Sequence, residues 1–304
     1  MIPMPQTTRL DAAESIFFAR ELEHIYQRTY DVRYPTLLAR EFVPVSQEAG
    51  PGATSLTYRQ FDEVGRAKFI SNKAKDLPRV DVSGVEFTRP IRLCGDSYGY
   101  DIQELRSAAM ANKPLEQARA SAARRAVEEL LDYTACFGSP EHGIVDGFLN
   151  NASIPSQAVP AAWAGATADG ILADVRNGIQ RIVDVTLGVE MPDTIGLDPS
   201  TYAFLSMTPR SATSDTTLLG YIMKNFPMIK SIIPWYRLST AGAGSTKRMV
   251  IYRRSPEVVY QEIPSEFEQL PPQEQGLEFV INCIATTGGT AVPYPKAIDF
   301  SDGL

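Results

Sequence analysis

Residues 50–83 read GPGATSLTYRQFDEVGRAKFISNKAKDLPRVDVS, and the way this stretch fails to supply a core of its own decides the fold. Gly50, Pro51 and Gly52 open it as a turn, and in the alternating run TSLTYRQF the side chains of Leu56, Tyr58 and Gln60 fall on one side of a strand. The far half carries Asp62, Glu63, Arg66, Lys68, Lys73, Lys75, Asp76, Arg79 and Asp81 with few apolar residues between them. A segment this long and this charged cannot bury enough surface to offset its ordering entropy. It is therefore expected as a hairpin whose far end is either a floppy insertion or a surface kept for another molecule.

Upstream, residues 11–30 have the pattern of an amphipathic helix. Asp11 with Glu14 forms a capping box, and Phe18, Leu22, Ile25 and Tyr26 recur at helical spacing. Pro35 and Pro44 then keep the chain extended, so this helix reads as an arm outside the compact unit. Downstream come a strand in EFTRPIRLC, a short helix over residues 101–110 and a long helix over residues 113–136. Pro114 suits the first turn of that helix, and Gly138 and Pro140 stop it. Ala120, Ala123, Val127, Leu130, Leu131 and Thr134 are its expected core face, with Arg124–Glu128 and Arg125–Glu129 bracing the other side.

GIVDGFLN (residues 143–150) reads as a tight turn and strand, and the Pro/Ala-rich residues 151–167 as a linker into a second subdomain. There, Ile171, Leu172, Val175, Ile179, Ile182 and Val183 line one face of a helix. Strand and helix signals follow in alternation: TIGLDPSTYAFLS, a helix near residues 216–225, strands near residues 229–238, and a hairpin in RLSTAGAGSTKRMVIYRR. VVYQEIP, LEFVINCIATTGG and YPKAIDFSDGL close the chain. The class is α+β with mostly antiparallel strands.

Composition excludes several functions. The net charge is −7 and the longest basic groups are pairs such as Arg124–Arg125, which are not the clustered charge that grips phosphates. An acidic inner wall still suits a container through which DNA must move. No apolar run approaches a membrane span, the N-terminus lacks the order of a secretion signal, and three scattered cysteines do not make a disulfide framework, so a reducing cytosol is the expected compartment. With only His24 and His142, zinc sites and nucleophilic triads lack their usual ligand and base. Gly242-Ala243-Gly244-Ser245-Thr246-Lys247 puts its Lys after the Ser and Thr and ahead of a strand, which is a turn and not a phosphate loop. Cys94, Cys136 and Cys283 sit among apolar or small residues as core thiols. The expectation is no catalytic, cofactor or metal site.

The order of parts, together with FFARELEHIYQRTYDVRYPTLLAREFVPV (residues 17–45), EHGIVDGFLN (residues 141–150) and YPKAIDFSDGL (residues 294–304), resembles the Hong Kong 97-type major capsid proteins of tailed bacteriophages. The likeness spans nearly the whole chain. It implies an α+β Hong Kong 97-like capsid fold: an N-terminal arm over 1–49, an extended E-loop hairpin over 50–84, a peripheral domain over 85–150 with the spine helix at 113–136, an axial domain over 151–270, and a return to the peripheral domain over 271–304. It also implies a coat protein whose copies form hexamers and pentamers of an icosahedral shell around double-stranded DNA, held without sequence-specific contacts. Further implied partners are a portal, a separate scaffolding protein or none (about fifty residues precede the hairpin), and a decoration protein, with no membrane. The place is the virion, after assembly in the host bacterial cytoplasm.

On that reading the assembly interface is Phe18 and Leu22 of the arm helix, Tyr58, Phe61 and Phe69 as apolar anchors on the hairpin, and Arg59, Asp62, Arg66 and Lys68 as charges that set register across it. Some members join an E-loop Lys to an Asn of a neighbour, and Lys68, Lys73 and Lys75 lie in that region, as lysines of any solvated hairpin would. Two rivals stay open: the shell protein of an encapsulin compartment, which shares the architecture, and an α+β enzyme using carboxylates or a cysteine.

Overall fold

The computed structural model describes residues 34–65, 67, 69, 79–111, 115–211, 213 and 215–304. Contacts divide the chain into Met1–Thr36 and Leu37–Leu304, and every described helix and strand belongs to the second unit. The expected arm helix with Phe18 and Leu22 lies outside the described residues, as do Arg66, Lys68, Lys73 and Lys75.

The long helix forms over Leu115–Phe137, about 35 Å of rod at 1.5 Å per residue. Ala123, Val127, Leu131 and Ala135 recur every four residues and are buried, so one stripe faces the protein along the helix. Ala123 packs with Tyr98, Tyr100, Ile281 and Cys283. Val127 and Leu131 pack with Ala285, and Ala135 and Cys136 enter the largest core with Phe42, Phe148, Trp235, Tyr252 and Phe300. The rod thus ties one sheet to the central core. Leu130, expected on this stripe, is exposed, because it lies one residue off the four-residue repeat. Glu128 bonds Arg40 at 2.9 Å and Arg124 lies over the Phe267 ring at 5.9 Å, so these two charges brace other elements instead of each other. Asp132, buried on the same helix, accepts the Ala39 N–H at 2.9 Å and pairs with Arg237 at 3.1 Å.

What stops the rod also explains GIVDGFLN. Gly138 has φ +73, and a Cβ there would lie 2.6 Å from the Ile144 carbonyl oxygen. A Cβ on Gly147 would come within 2.4 Å of backbone atoms of Cys136 and Phe137, so only glycine lets this loop lie on the helix end. Asn150 accepts the Gly147 N–H at 2.7 Å and donates to the Phe137 carbonyl at 2.8 Å. Phe148 and Leu149, both fully buried, donate their N–H groups to Ala135 and Cys136. The expected strand is therefore absent: the loop spends its backbone bonds on the helix terminus.

Among the described residues four sheets organise the strands. Arg92–Asp101 and Glu278–Thr287 form a ten-pair antiparallel ladder, and Ser265–Gln269 and Gln273–Gln275 pair with the latter. A five-stranded sheet runs in the order Ser156–Ala158, Ile298–Asp302, Arg248–Tyr252, Thr194–Leu197, Ser231–Pro234. Strands on both sides of residue 270 share that sheet. Val45–Ser46, Tyr260–Glu262 and Gly289–Ala291 make a small third sheet, and the fourth is the hairpin.

The helix Ala168–Val185, capped by the Thr167 hydroxyl accepting from Gly170, buries Ile171, Leu172, Val175, Ile179 and Ile182 in a second core with Ile195, Leu197, Met249 and Ile251 of the five-stranded sheet. Residues 151–167 are not a loose linker: Ile154 enters the first core, Ser156–Ala158 is an edge strand, and buried Trp163 donates to Asp174 at 3.0 Å. RLSTAGAGSTKRMVIYRR is not a hairpin either. Tyr236–Ser239 and Ala243–Ser245 are single helical turns, and Arg248–Tyr252 takes its partners from distant parts of the chain.

Candidate assembly surface

The stretch around residues 50–90 forms two ten-residue strands, Ser55–Val64 and Asp81–Pro90, in register from Ser55 opposite Pro90 to Val64 opposite Asp81. Directly opposite residues share a face. One face carries Thr57 and Thr88 hydroxyls 2.9 Å apart, Arg59 bonded to Glu86 at 2.8 Å, Phe61 over Gly84, and Val82. The other carries Tyr58 stacked on Phe87 at 5.2 Å, then Val85, Asp62 and Val64. No residue of either strand is buried. Among the described residues no third strand joins this hairpin and no helix covers it, and a two-stranded hairpin is marginal by itself. Phe61, Val64, Val82 and Val85 are each more than half exposed, on both faces of the ribbon, and Phe69 is fully exposed.

The root is fixed. Ile91 donates its N–H to Thr54 O, the Gln60 amide reaches Pro293 O at 2.5 Å, and Arg92 bonds His142 O at 2.7 Å. Arg89 grips Asp146 through its carboxylate at 2.6 Å and its carbonyl at 3.3 Å. A cleft of about 360 Å³ lies at this junction, lined by Tyr58, Phe87, Arg89, Asp146 and Pro293 among others. Burial raises the Tyr58 hydroxyl above its ordinary pKa, against the pull of Arg89, and the nearby Tyr260 is pushed up to about 12, first by burial and then by Glu262. The result is a ribbon held firmly at one end and uncovered along its length.

Several groups among the described residues that could carry chemistry are engaged in the fold. Burial raises the pKa of Cys94, Cys136 and Cys283, which favours the thiol over the nucleophilic thiolate. In the Gly242–Lys247 turn, Gly242 donates to Thr246 O, Ala243 donates to Asp302, and Lys247 pairs with Asp198 at 3.2 Å. The N–H groups of Gly242, Ala243 and Ser245 are thus taken up within the fold, with Ser245 donating to Gly242 O, and are not offered to a phosphate. His142 shares a hydrogen bond with the Ser139 hydroxyl at 2.8 Å and is exposed. Among the described residues no three His, Cys, Asp or Glu side chains stand close enough to hold a metal ion, and no helix is long and apolar enough to cross a membrane.

Of the residues expected at the interface, Phe61, Asp62 and Phe69 are exposed as such a role needs. Tyr58 is half-buried at the root against Phe87 and contributes to the anchoring of the ribbon. Arg59 is paired with Glu86 within its own hairpin. Sequence reading placed a hairpin here and a strand in EFTRPIRLC but did not single out the apolar groups of the returning strand: Val80, Val82, Val85 and Phe87 are exposed, and the pattern in VDVSGVEF was the available signal. The anchoring roles of Gln60 and Asp146 gave no local signal, because they depend on contacts with Pro293 and Arg89 far along the chain.

A family model described as major capsid protein matches residues 65–304. Among solved structures, the capsid of Myoviridae phage XM1 superposes with a TM-score of 0.85 at 19% identity, covering 95% of this chain and 99% of that one. A chain from Mycobacterium phage Bobi gives 0.64 at 12% identity over 94% and 97%. A virus-like particle from Pyrococcus furiosus gives 0.56 at 17% over 86% and 91%. No curated protein sequence matches.

Proposed function

This chain belongs to the major capsid protein family, and from that premise we propose that its copies close into a shell by laying the uncovered hairpin of each subunit on a neighbour. It is a capsid shell protein with the Hong Kong 97-like α+β fold. The finer reading is hexamers and pentamers of an icosahedral shell around double-stranded phage DNA, built without a catalytic site in the subunit. In this reading the hairpin and the arm over residues 1–49 bury little at home and recover their ordering entropy only in the assembly. Phe61 and Phe69 anchor the hairpin, joined by Val64, Val82 and Val85, while Asp62, Arg66 and Lys68 set register; Phe18 and Leu22 of the arm pack against a neighbouring copy.

The peripheral domain holds the spine helix and the Arg92–Asp101 ladder, and the axial domain is built on the five-stranded sheet, with Ile298–Asp302 assigned to it. Portal, scaffolding and decoration proteins are partners on this reading, and the net charge of −7 suits a wall that lets DNA slide.

The observation that carries the proposal is a ten-pair ribbon, rigid at its root, with apolar groups exposed on both faces. Deleting residues 62–79 should leave soluble, folded subunits that form no shells by electron microscopy, and normal particles from that deletion would refute the role. Particles of the intact chain should hold nuclease-resistant double-stranded DNA; protein cargo in its place would turn the reading to a nanocompartment.

A further inference from the structure

Residues 185–191, VTLGVEM, leave the helix Ala168–Val185 and turn back toward Thr194–Leu197. The backbone of this turn is tied down. Thr186 N–H donates to Ile182 O at 3.0 Å, Gly188 N–H to Val183 O at 2.8 Å and Val189 N–H to Thr186 O at 3.1 Å, while the Thr186 hydroxyl donates to Ile182 O at 2.7 Å. The Glu190 carboxylate turns inward to Arg253 at 2.8 Å.

The polar groups of the turn are thus satisfied within the chain, and the apolar ones point out. Val185, Leu187, Val189 and Met191 are 52%, 91%, 77% and 53% exposed. Leu187 holds φ +53, a conformation that a residue with a Cβ adopts at a cost, and the outcome of that strain is a leucine standing in water. Exposed apolar residues scattered singly need no explanation. A rigid turn with four of them in seven consecutive positions is a preformed contact surface.

We infer that this turn is a second contact between copies of the chain, covered when the shell assembles; the inference rests on the shell reading. A second copy is the occupant because the family is one of self-assembling coat proteins. DNA does not fit, since the exposed side chains of the turn are apolar and its one charged residue, Glu190, is acidic and already paired with Arg253. A stiff apolar knob suits a permanent interface core, where charged residues are depleted and ordering costs little.

The test uses the full chain with Val189→Cys. The native thiols are buried or half-buried, so a maleimide reads residue 189, with the unsubstituted chain as blank. Labelling should be at least about tenfold slower in particles than in unassembled subunits, as for a group in an interface core. Equal rates in both overturn the inference and leave the shell reading standing, whereas failure of the unsubstituted chain to form particles overturns the shell reading itself. Leu187→Gly supplies a second readout, because glycine relaxes the positive φ and removes the apolar group together. It should melt no lower than the native chain yet need a several-fold higher subunit concentration to assemble. Assembly at the native concentration would overturn the inference.

Discussion

The hairpin Ser55–Val64 with Asp81–Pro90 and the strand pair Arg248–Tyr252 with Ile298–Asp302 are both regular antiparallel ladders. No residue of the first pair of strands is buried, and every residue of the second is. Backbone ladders exchange water bonds for protein bonds at small net gain, so the ladder does not distinguish the two. What covers the faces does. The sheet pair has Ile251 and Met249 against one core, and Val250, Tyr252 and Phe300 against the other. The hairpin has solvent.

Their ion pairs differ in the same way. Arg59–Glu86 stands in water, where such a pair contributes little. Arg248 grips both oxygens of Asp302 at 2.6 and 2.8 Å, lies over the Phe300 ring at 4.2 Å, and also bonds the Leu149 carbonyl. Stability is stored in the second region and, on the proposed reading, assembly surface in the first.

The sharpest way to break this contrast is Arg248→Ala, which strands the buried Asp302 carboxylate. It should cost about 3–5 kcal/mol in denaturant unfolding of the subunit. A cost below about 1 kcal/mol would remove the distinction. The acid limb should change too. Burial pushes the Asp302 carboxyl up, but bonds from Arg248, the Ala243 N–H and Ser156 outweigh it and hold its pKa below the ordinary 3.8. A depressed carboxyl contributes stability above its unfolded value and loses it as pH falls through the folded one. The native chain should therefore lose stability below about pH 4 more steeply than Arg248→Ala does. Asp299 runs the other way. Burial raises its pKa despite the bidentate Arg181, so its contribution is complete at low pH and shrinks as pH rises through the folded value.

On the hairpin the effects should be smaller in the subunit. Phe87→Ala removes the stack on Tyr58 and should lower subunit stability by about 0.5–1.5 kcal/mol, read by thermal unfolding. Arg59→Ala should cost about 0.2–1 kcal/mol, and high salt should erase the difference. Phe61→Ser should leave subunit unfolding within about 0.5 kcal/mol of native while raising the concentration needed to form shells. If that variant unfolded as badly as Arg248→Ala, the hairpin would belong to the core and the contrast would be wrong.

Local pattern made several elements legible. Ile171, Leu172, Val175, Ile179 and Ile182 announced a buried helix face, and Gly138 marked the end of the spine within a residue of where it ends. The alternation at Leu56, Tyr58 and Gln60 marked the outgoing hairpin strand, and all three are half-buried as one side of a strand should be. The errors came where a long-range partner overrode local chemistry. GIVDGFLN has strand-like residues but bonds to a helix end, and RLSTAGAGSTKRMVIYRR has hairpin signals but donates its strand to a sheet completed by residues 298–302. The returning strand was legible only in part, as the strand signal of EFTRPIRLC beyond a charge-rich hairpin end, and the register opposite Ser55–Val64 shows Asp81–Pro90 as the second half of one continuous ribbon.

By itself, then, the sequence determined the α+β class, the positions of the main described helices and the charged hairpin, because periodicity, turn residues and composition are local or additive properties. The tertiary structure alone decided which strands share a sheet, that Arg248 and Asp302 meet, that the root of the hairpin is locked by Asp146 and Pro293, and that Leu187, Val189 and Met191 point outward. Those are pairings between residues distant in the chain, and no local pattern encodes a partner that only folding brings near.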